Sequence, residues 1–119
     1  MLLNGGELNG KRILSPGTIQ LMASNQIGDH LMWGDTNKTR RFGLGFGILT
    51  DYAERTLMIP AGSYGWDGMF ASHFWVDPKN NLVFLFFSNR VNATAANYNK
   101  LLSLNVRGKA QEAAYQALK

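Results

Sequence analysis

The sequence predicts an α+β fold: an antiparallel β-sheet with a long C-terminal helix packed on it. Three observations carry that reading. The apolar run Leu82-Val83-Phe84-Leu85-Phe86-Phe87 follows a strand-like stretch at residues 69–76 and the turn signal Asp77-Pro78-Lys79-Asn80-Asn81, which together read as a hairpin. Phe42-Gly43-Leu44-Gly45-Phe46-Gly47-Ile48 alternates apolar residues with glycine, as a strand does where another backbone comes close. Residues 101–118 place Leu102, Val106, Ala110, Ala113 and Ala117 at steps of three and four, a helical face.

The remaining elements follow in order. Met1-Leu2-Leu3 before Asn4-Gly5-Gly6 reads as the last turn of a helix with its glycine stop. A chain opening on the end of a helix is expected to be a C-terminal piece of a longer one. Residues 11–14 are an extended lead-in. Ser15-Pro16 then starts a helix of about ten residues, with Ser as N-cap and Pro at the first helical position. Residues 27–41 are a polar loop. A short strand is predicted near residues 56–59, before the turn Pro60-Ala61-Gly62. Residues 92–99 are again loop-like. The run at 82–87 is apolar on both faces and is therefore expected to be a central, helix-covered strand.

Composition narrows the function. The 119 residues are 45% hydrophobic, with no repeat and no shift of composition, and predict a single domain over 1–119. Net charge is +4, but the cations are scattered and only residues 38–41 cluster. A phosphate track needs several cations on one face, so no nucleic-acid partner is expected. No apolar stretch reaches the roughly 18 residues of a membrane-spanning helix. The absence of cysteine excludes a disulfide framework, a thiolate metal site and a Cys nucleophile. Asp29, His30 and Asp35 read as a surface loop rather than a metal site, and nothing in the pattern calls for a cofactor.

Five segments, in order, resemble one family. Residues 1–16 are similar to its connection between two helices. Phe42-Gly43-Leu44-Gly45-Phe46-Gly47 resembles its Tyr-Gly-Leu-Gly-Trp strand. Tyr64-Gly65-Trp66-Asp67-Gly68 resembles the third-motif triplet region, variously Lys-Thr-Gly, His-Thr-Gly or Trp-Gly-Gly. Trp75-Val76-Asp77-Pro78 and Ser88-Asn89-Arg90-Val91 resemble its hairpin turn and the end of the next strand. Residues 99–107 resemble the closing helix of a subgroup fused to glycosidases. The family is that of the bacterial serine-reactive, penicillin-recognising hydrolases: serine β-lactamases, D-Ala-D-Ala peptidases, D-aminopeptidases and related esterases.

The resemblance implies a partial β-lactamase/transpeptidase-like fold and a place in the C-terminal part of a larger serine hydrolase. It puts Trp66, Asp67 and Gly68 at the three triplet positions and gives the Met69 N–H the oxyanion role. A donor of that kind contributes roughly 3–4 kcal/mol to the transition state. Tyr64 and Trp33 become candidate substrate contacts, with simple packing as the alternative for Trp33. Trp66 is closer to the esterase-like members. Asp67 brings an anion that repels a substrate carboxylate, which argues against β-lactamase activity and for an uncharged ester or amide. The serines are 15, 24, 63, 72, 88 and 103, and none has Lys three places on. The S-x-x-K nucleophile would therefore belong to the missing N-terminal part, the expected partner, and the chain alone would be inactive. Ser103-Leu104-Asn105 has the spelling of the second motif but falls on the final helix. The compartment stays open, with a periplasmic or secreted parent as the family's implication.

Two local patterns read as structural. Residues 61–65 approach a nucleophile elbow, but a strand rather than a helix is predicted after Ser63. Ser72 and His73, adjacent on a strand, point to opposite faces and cannot pair; His73 is expected to be a packed or rim histidine. The alternative to the hydrolase reading is a non-catalytic binding or self-assembling module, in which exposed apolar surface and an unpaired strand edge drive homo-oligomers.

Overall fold

The first hairpin is set by Asn9-Gly10. In the computed structural model, which describes residues 1–31, 35, 38–68, 70–89 and 106–118, these two residues have φ of 50° and 74°. Two central residues at positive φ make the type I′ turn whose twist matches paired strands. It joins β1 (Glu7–Leu8) to β2 (Lys11–Arg12), where only an extended lead-in was expected. Arg12 closes the hairpin from behind, donating to the carbonyls of Gly5 (3.1 Å) and Leu14 (3.2 Å). Residues 1–6 form a turn rather than a helix. Its closure from Gly6 N–H to the Met1 carbonyl (3.1 Å) is nevertheless of the helix-terminating type.

Ser15 caps α1 (Pro16–Met22) as expected, its Oγ accepting from the Thr18 N–H at 3.0 Å. The helix stops after seven residues because other groups take its last carbonyls. Gln26 Nε2 and Ser24 Oγ donate to the Leu21 carbonyl, and the Leu44 N–H donates to that of Met22 at 3.1 Å. Gly43 allows this approach. A Cβ there would lie 1.9 Å from the Met22 carbonyl oxygen.

The alternating stretch at 42–48 is two strands and a turn, not one strand. β3 (Arg40–Phe42) ends at Phe42 and β4 (Gly47–Leu49) begins at Gly47. The turn between them is closed by Gly43 N–H to the Phe46 carbonyl at 2.9 Å, with Gly45 at φ 93°. Before β3, the Asp35 carboxylate accepts from the N–H groups of Thr39 (3.1 Å) and Arg40 (2.7 Å) and from the Thr39 hydroxyl (2.9 Å). Burial acts to raise the Asp35 pKa, but these donors outweigh it and hold the group below the usual carboxylate value.

Where a strand was expected near 56–59, the chain forms α2 (Asp51–Leu57). The signals are a Thr50 N-cap accepting from the Ala53 N–H, Asp51 and Glu54 in the first turn, and Arg55 in the last. Left-handed Met58 (φ 60°) ends it. β5 (Tyr64–Asp67), β6 (His73–Asp77) and β7 (Leu82–Phe86) complete a five-stranded sheet of order β3-β4-β5-β6-β7. β5 runs antiparallel to β4 in the register Gly47↔Gly65 and Ile48↔Tyr64. β6 begins at His73 rather than at 69, because Ala71 (φ 63°) turns the chain first. The β6–β7 hairpin lies where expected. The fully buried Asp77 accepts from the Asn80 N–H (3.1 Å) and from Asn80 Nδ2 (2.7 Å), and Asn81 has φ 52°.

β7 is not central. It is the last strand of the sheet among the described residues, and Val83, Leu85 and Phe87 are exposed at 46%, 58% and 82%. Apolar composition on both faces says nothing about which edges are paired. The long C-terminal helix is also not borne out. α3 (Val106–Gln116) has 11 residues. Its half-buried positions are Gly108, Ala110, Gln111, Ala114 and Tyr115, whereas Ala113 and Ala117, expected on the packed face, are exposed. Residues 101–105 and the loop expected at 92–99 lie outside the described residues.

Two compact units divide the chain: Met1–Trp66 with Trp75–Val83, and Asp67–Phe74 with Phe84–Lys119. The core of the first gathers Ile48, Tyr64 and Val76, with Leu2, Leu3, Ala23 and Phe46 packed against them.

Two measurements check this account. Gly43→Ala forces a side chain against backbone and should cost about 2–3 kcal/mol in urea unfolding. Gly47→Ala should cost no more than about 1 kcal/mol, since a Cβ there finds only ordinary contacts at 3.6 Å. Asp35 has a folded pKa below its ordinary 3.8, so its stabilisation is present above that value and is lost as pH falls through the lower folded value. Asp35→Asn should therefore flatten the acid limb of a stability-versus-pH curve and leave the rest of its shape unchanged.

Candidate active site

β5 carries Trp66 and Asp67, two of the three residues expected at the triplet positions, and its two ends have opposite environments. At its start Tyr64 is 3% exposed and packs on Phe46, ring centroids 5.4 Å apart. Burial raises the pKa of its phenol. The expected substrate contact is thus a core anchor that holds the strand down. Two residues on, Trp66 is 42% exposed and meets Phe42 edge to face, centroids 5.2 Å apart and planes at 74°. Trp33, the other expected substrate contact, lies outside the described residues.

Past Trp66 the chain enters the second unit. Asp67, the last residue of β5, places its carboxylate against Nδ1 of His73, the first residue of β6. The His73 side chain is 8% exposed and that of Asp67 32%. Between them the chain turns: Gly68 N–H donates to the Ser72 carbonyl (2.7 Å) and Ala71 N–H to that of Gly68 (3.0 Å). The turn brings the two strand ends face to face, the arrangement in which cross-strand side chains interact.

This pair changes the reading of Asp67. A bare anion was expected at the second triplet position, and the carboxylate is instead hydrogen-bonded to an imidazole. His73 was read as a packed or rim residue; it is packed, and it also has this specific partner. The signal was present in the sequence as a carboxylate and a histidine bracketing a Gly-containing turn. It was missed because the strand after the turn was begun at residue 69, which puts the two residues out of register.

Gly68 is exposed, and a Cβ there would find Ser72 atoms no nearer than 3.5 Å. Its freedom from a side chain is therefore not required by the fold of the turn. Met69 lies outside the described residues. Ser72 lies just before β6, not on a strand as expected. Its Oγ donates to the Ser88 carbonyl (2.9 Å), and the Ser88 N–H returns to it at 3.3 Å.

Ser63 is no nucleophile elbow. It is fully buried, its Oγ has no hydrogen-bond partner, and strand β5 follows it. Asp35 is engaged by backbone donors of its own loop, as described above. Among the described residues no group of three or more His, Asp or Glu side chains could hold a metal, and no helix is long and apolar enough to cross a membrane.

The comparisons with known proteins bear on the chain as a whole. The Beta-lactamase family model matches residues 2–107, and this chain belongs to that family. Two curated relatives, Uncharacterized protein MT1414 of Mycobacterium tuberculosis (strain CDC 1551 / Oshkosh) and Protein Rv1367c of strain ATCC 25618 / H37Rv, are each 33% identical over 94 residues. Those matches cover 72% of this chain and 23% of each relative. Among solved structures, EstCE1, described as a hydrolase with promiscuous acyltransferase activity, superposes with a TM-score of 0.60 at 23% identity. It covers 82% of this chain and 24% of its own, a likeness of fold. The chain thus spans about a quarter of the length of the relatives it matches.

Proposed function

We propose that this chain forms the third-motif wall of an acyl hydrolase, of esterase or peptidase type, whose attacking serine lies outside these 119 residues. The single observation that supports this is the course of β5. Tyr64 anchors the strand in the core, Trp66 is exposed two residues later, and the strand ends in a turn at the triplet glycine. A wall of this kind needs a rigid strand behind it and an accessible end. Trp66, Asp67 and Gly68 take the three triplet positions, and the next N–H, that of Met69, is the oxyanion donor. The Gly68 N–H itself is engaged by the Ser72 carbonyl. The hydrolase and acyltransferase activity described for EstCE1 agrees with this class.

No acyl-enzyme forms without a nucleophile and its base. The chain alone should therefore neither take up a fluorophosphonate probe stoichiometrically nor hydrolyse a chromogenic acyl ester above background. Both should appear when the S-x-x-K-bearing polypeptide is supplied. Stoichiometric labelling of the chain alone would overturn the reading.

A second reading is favoured by the exposed Leu85 (58%) on β7, the last strand of the sheet among the described residues, and by Phe87 (82%) just past it, surface of the kind that drives self-association. Light scattering on the size-exclusion peak should then give a mass above one chain. A monomer persisting at high concentration would remove this reading.

A further inference from the structure

β3 carries two consecutive arginines in different surroundings. Its outer edge is closed: the Arg40 N–H donates to the Asp35 carboxylate (2.7 Å), and the Phe42 carbonyl accepts from the Gln26 N–H (2.8 Å). The Arg40 charge also attracts that carboxylate. Arg41 pairs with Ile48 across the ladder, and Ile48 pairs in turn with Tyr64. Directly opposite residues share a face, so Arg41 continues the row of the core residues Ile48 and Tyr64. β3 comes first in the sheet order, which puts Arg41 at the margin of that row. The residue is half-buried, and its Nη1 is shielded from solvent with no hydrogen-bond partner among the described residues. Acids of the same compact unit serve other donors: Glu7 pairs with Arg12, Asp35 accepts from Thr39 and Arg40, Glu54 from Ala61 and Lys79, and Asp77 from Asn80. A shielded guanidinium nitrogen without an acceptor loses its hydration and gains nothing in return. The group that answers it best is a carboxylate, whose two oxygens match the guanidinium fork.

We propose that Arg41 is a carboxylate-binding residue at the margin of the core, and that its carboxylate comes from a side chain of the polypeptide that carries the nucleophile. The inference rests on the hydrolase reading above and deepens it by naming a contact that joins the two parts. The matches cover 23% of each curated relative, which leaves the greater part of such a protein to supply the acid. A charged pair shielded in this way fixes register between two surfaces, because either partner alone is left unsatisfied.

The experiment has two arms. The first uses the 119-residue chain alone, with formate as the smallest carboxylate probe. One charge-assisted contact supports a dissociation constant on the order of 10 mM. Urea unfolding is followed in about 100 mM sodium formate and in sodium chloride of equal ionic strength, and formate should lower the unfolding equilibrium constant about tenfold relative to chloride. The same advantage is expected in Arg40→Met, which controls for the neighbouring charge. It should vanish in Arg41→Met and shrink in Arg41→Lys, which keeps the charge and loses the fork. No advantage in the wild type, or one undiminished in both Arg41 variants, overturns the proposal. In the second arm, the S-x-x-K-bearing polypeptide is labelled with the fluorophosphonate probe at increasing concentrations of this chain. The concentration giving half-maximal labelling should rise at least about tenfold in Arg41→Met. If it does not move while the formate advantage is present, the acceptor is a free acid and the stated origin of the carboxylate is overturned. No labelling with any form of the chain defeats the hydrolase reading and that origin with it, while the formate arm decides the site by itself.

Discussion

The approach of Gly43 to the end of α1 is the constraint on which the rest depends. The Leu44 N–H reaches the Met22 carbonyl only because residue 43 has no side chain to keep the backbones apart. That contact ends the helix and starts the tight turn that separates β3 from β4. β4 in turn sets the register of β5 through Gly47↔Gly65 and Ile48↔Tyr64. The register puts Tyr64 in the core and leaves Trp66 at the surface. One backbone-to-backbone approach therefore decides where Trp66 emerges, far along the chain from Gly43.

At the triplet itself, hydrogen bonding replaces packing as the organising force. Asp67 and His73 sit on opposite arms of a turn whose backbone is closed by Gly68 and Ser72. A further bond, from Ser72 Oγ to the Ser88 carbonyl, ties the turn to the segment just after β7. Polar groups with assigned partners specify one geometry more sharply than apolar ones do, because the alternative is an unpaired group. This suits a surface proposed to present a donor to a substrate.

Local signals in the sequence were legible where one residue type answers one backbone need. Ser15-Pro16 capped a helix, and Asp77 through Asn81 turned a hairpin. The Asn9-Gly10 hairpin and the Thr50 cap of α2 were equally local and could have been read. Pattern failed where two structures share it. Apolar residues alternating with glycine fit a strand and also fit a hairpin turn flanked by strands, and the choice fell to a carbonyl on α1. The apolar run of β7 fits a central strand and also an edge strand.

By itself the sequence determined the class: an antiparallel sheet with helices, and membership of the Beta-lactamase family, whose model matches residues 2–107. These follow from short-range chemistry, since caps, turns and motif residues act within a few positions of one another. Only the tertiary structure decided which strands lie outermost among the described residues, that Tyr64 is an anchor, and that Asp67 has an imidazole for a partner. The reason is physical: register and pairing join residues through space, and a shift of one position along a strand sends every side chain to the other face.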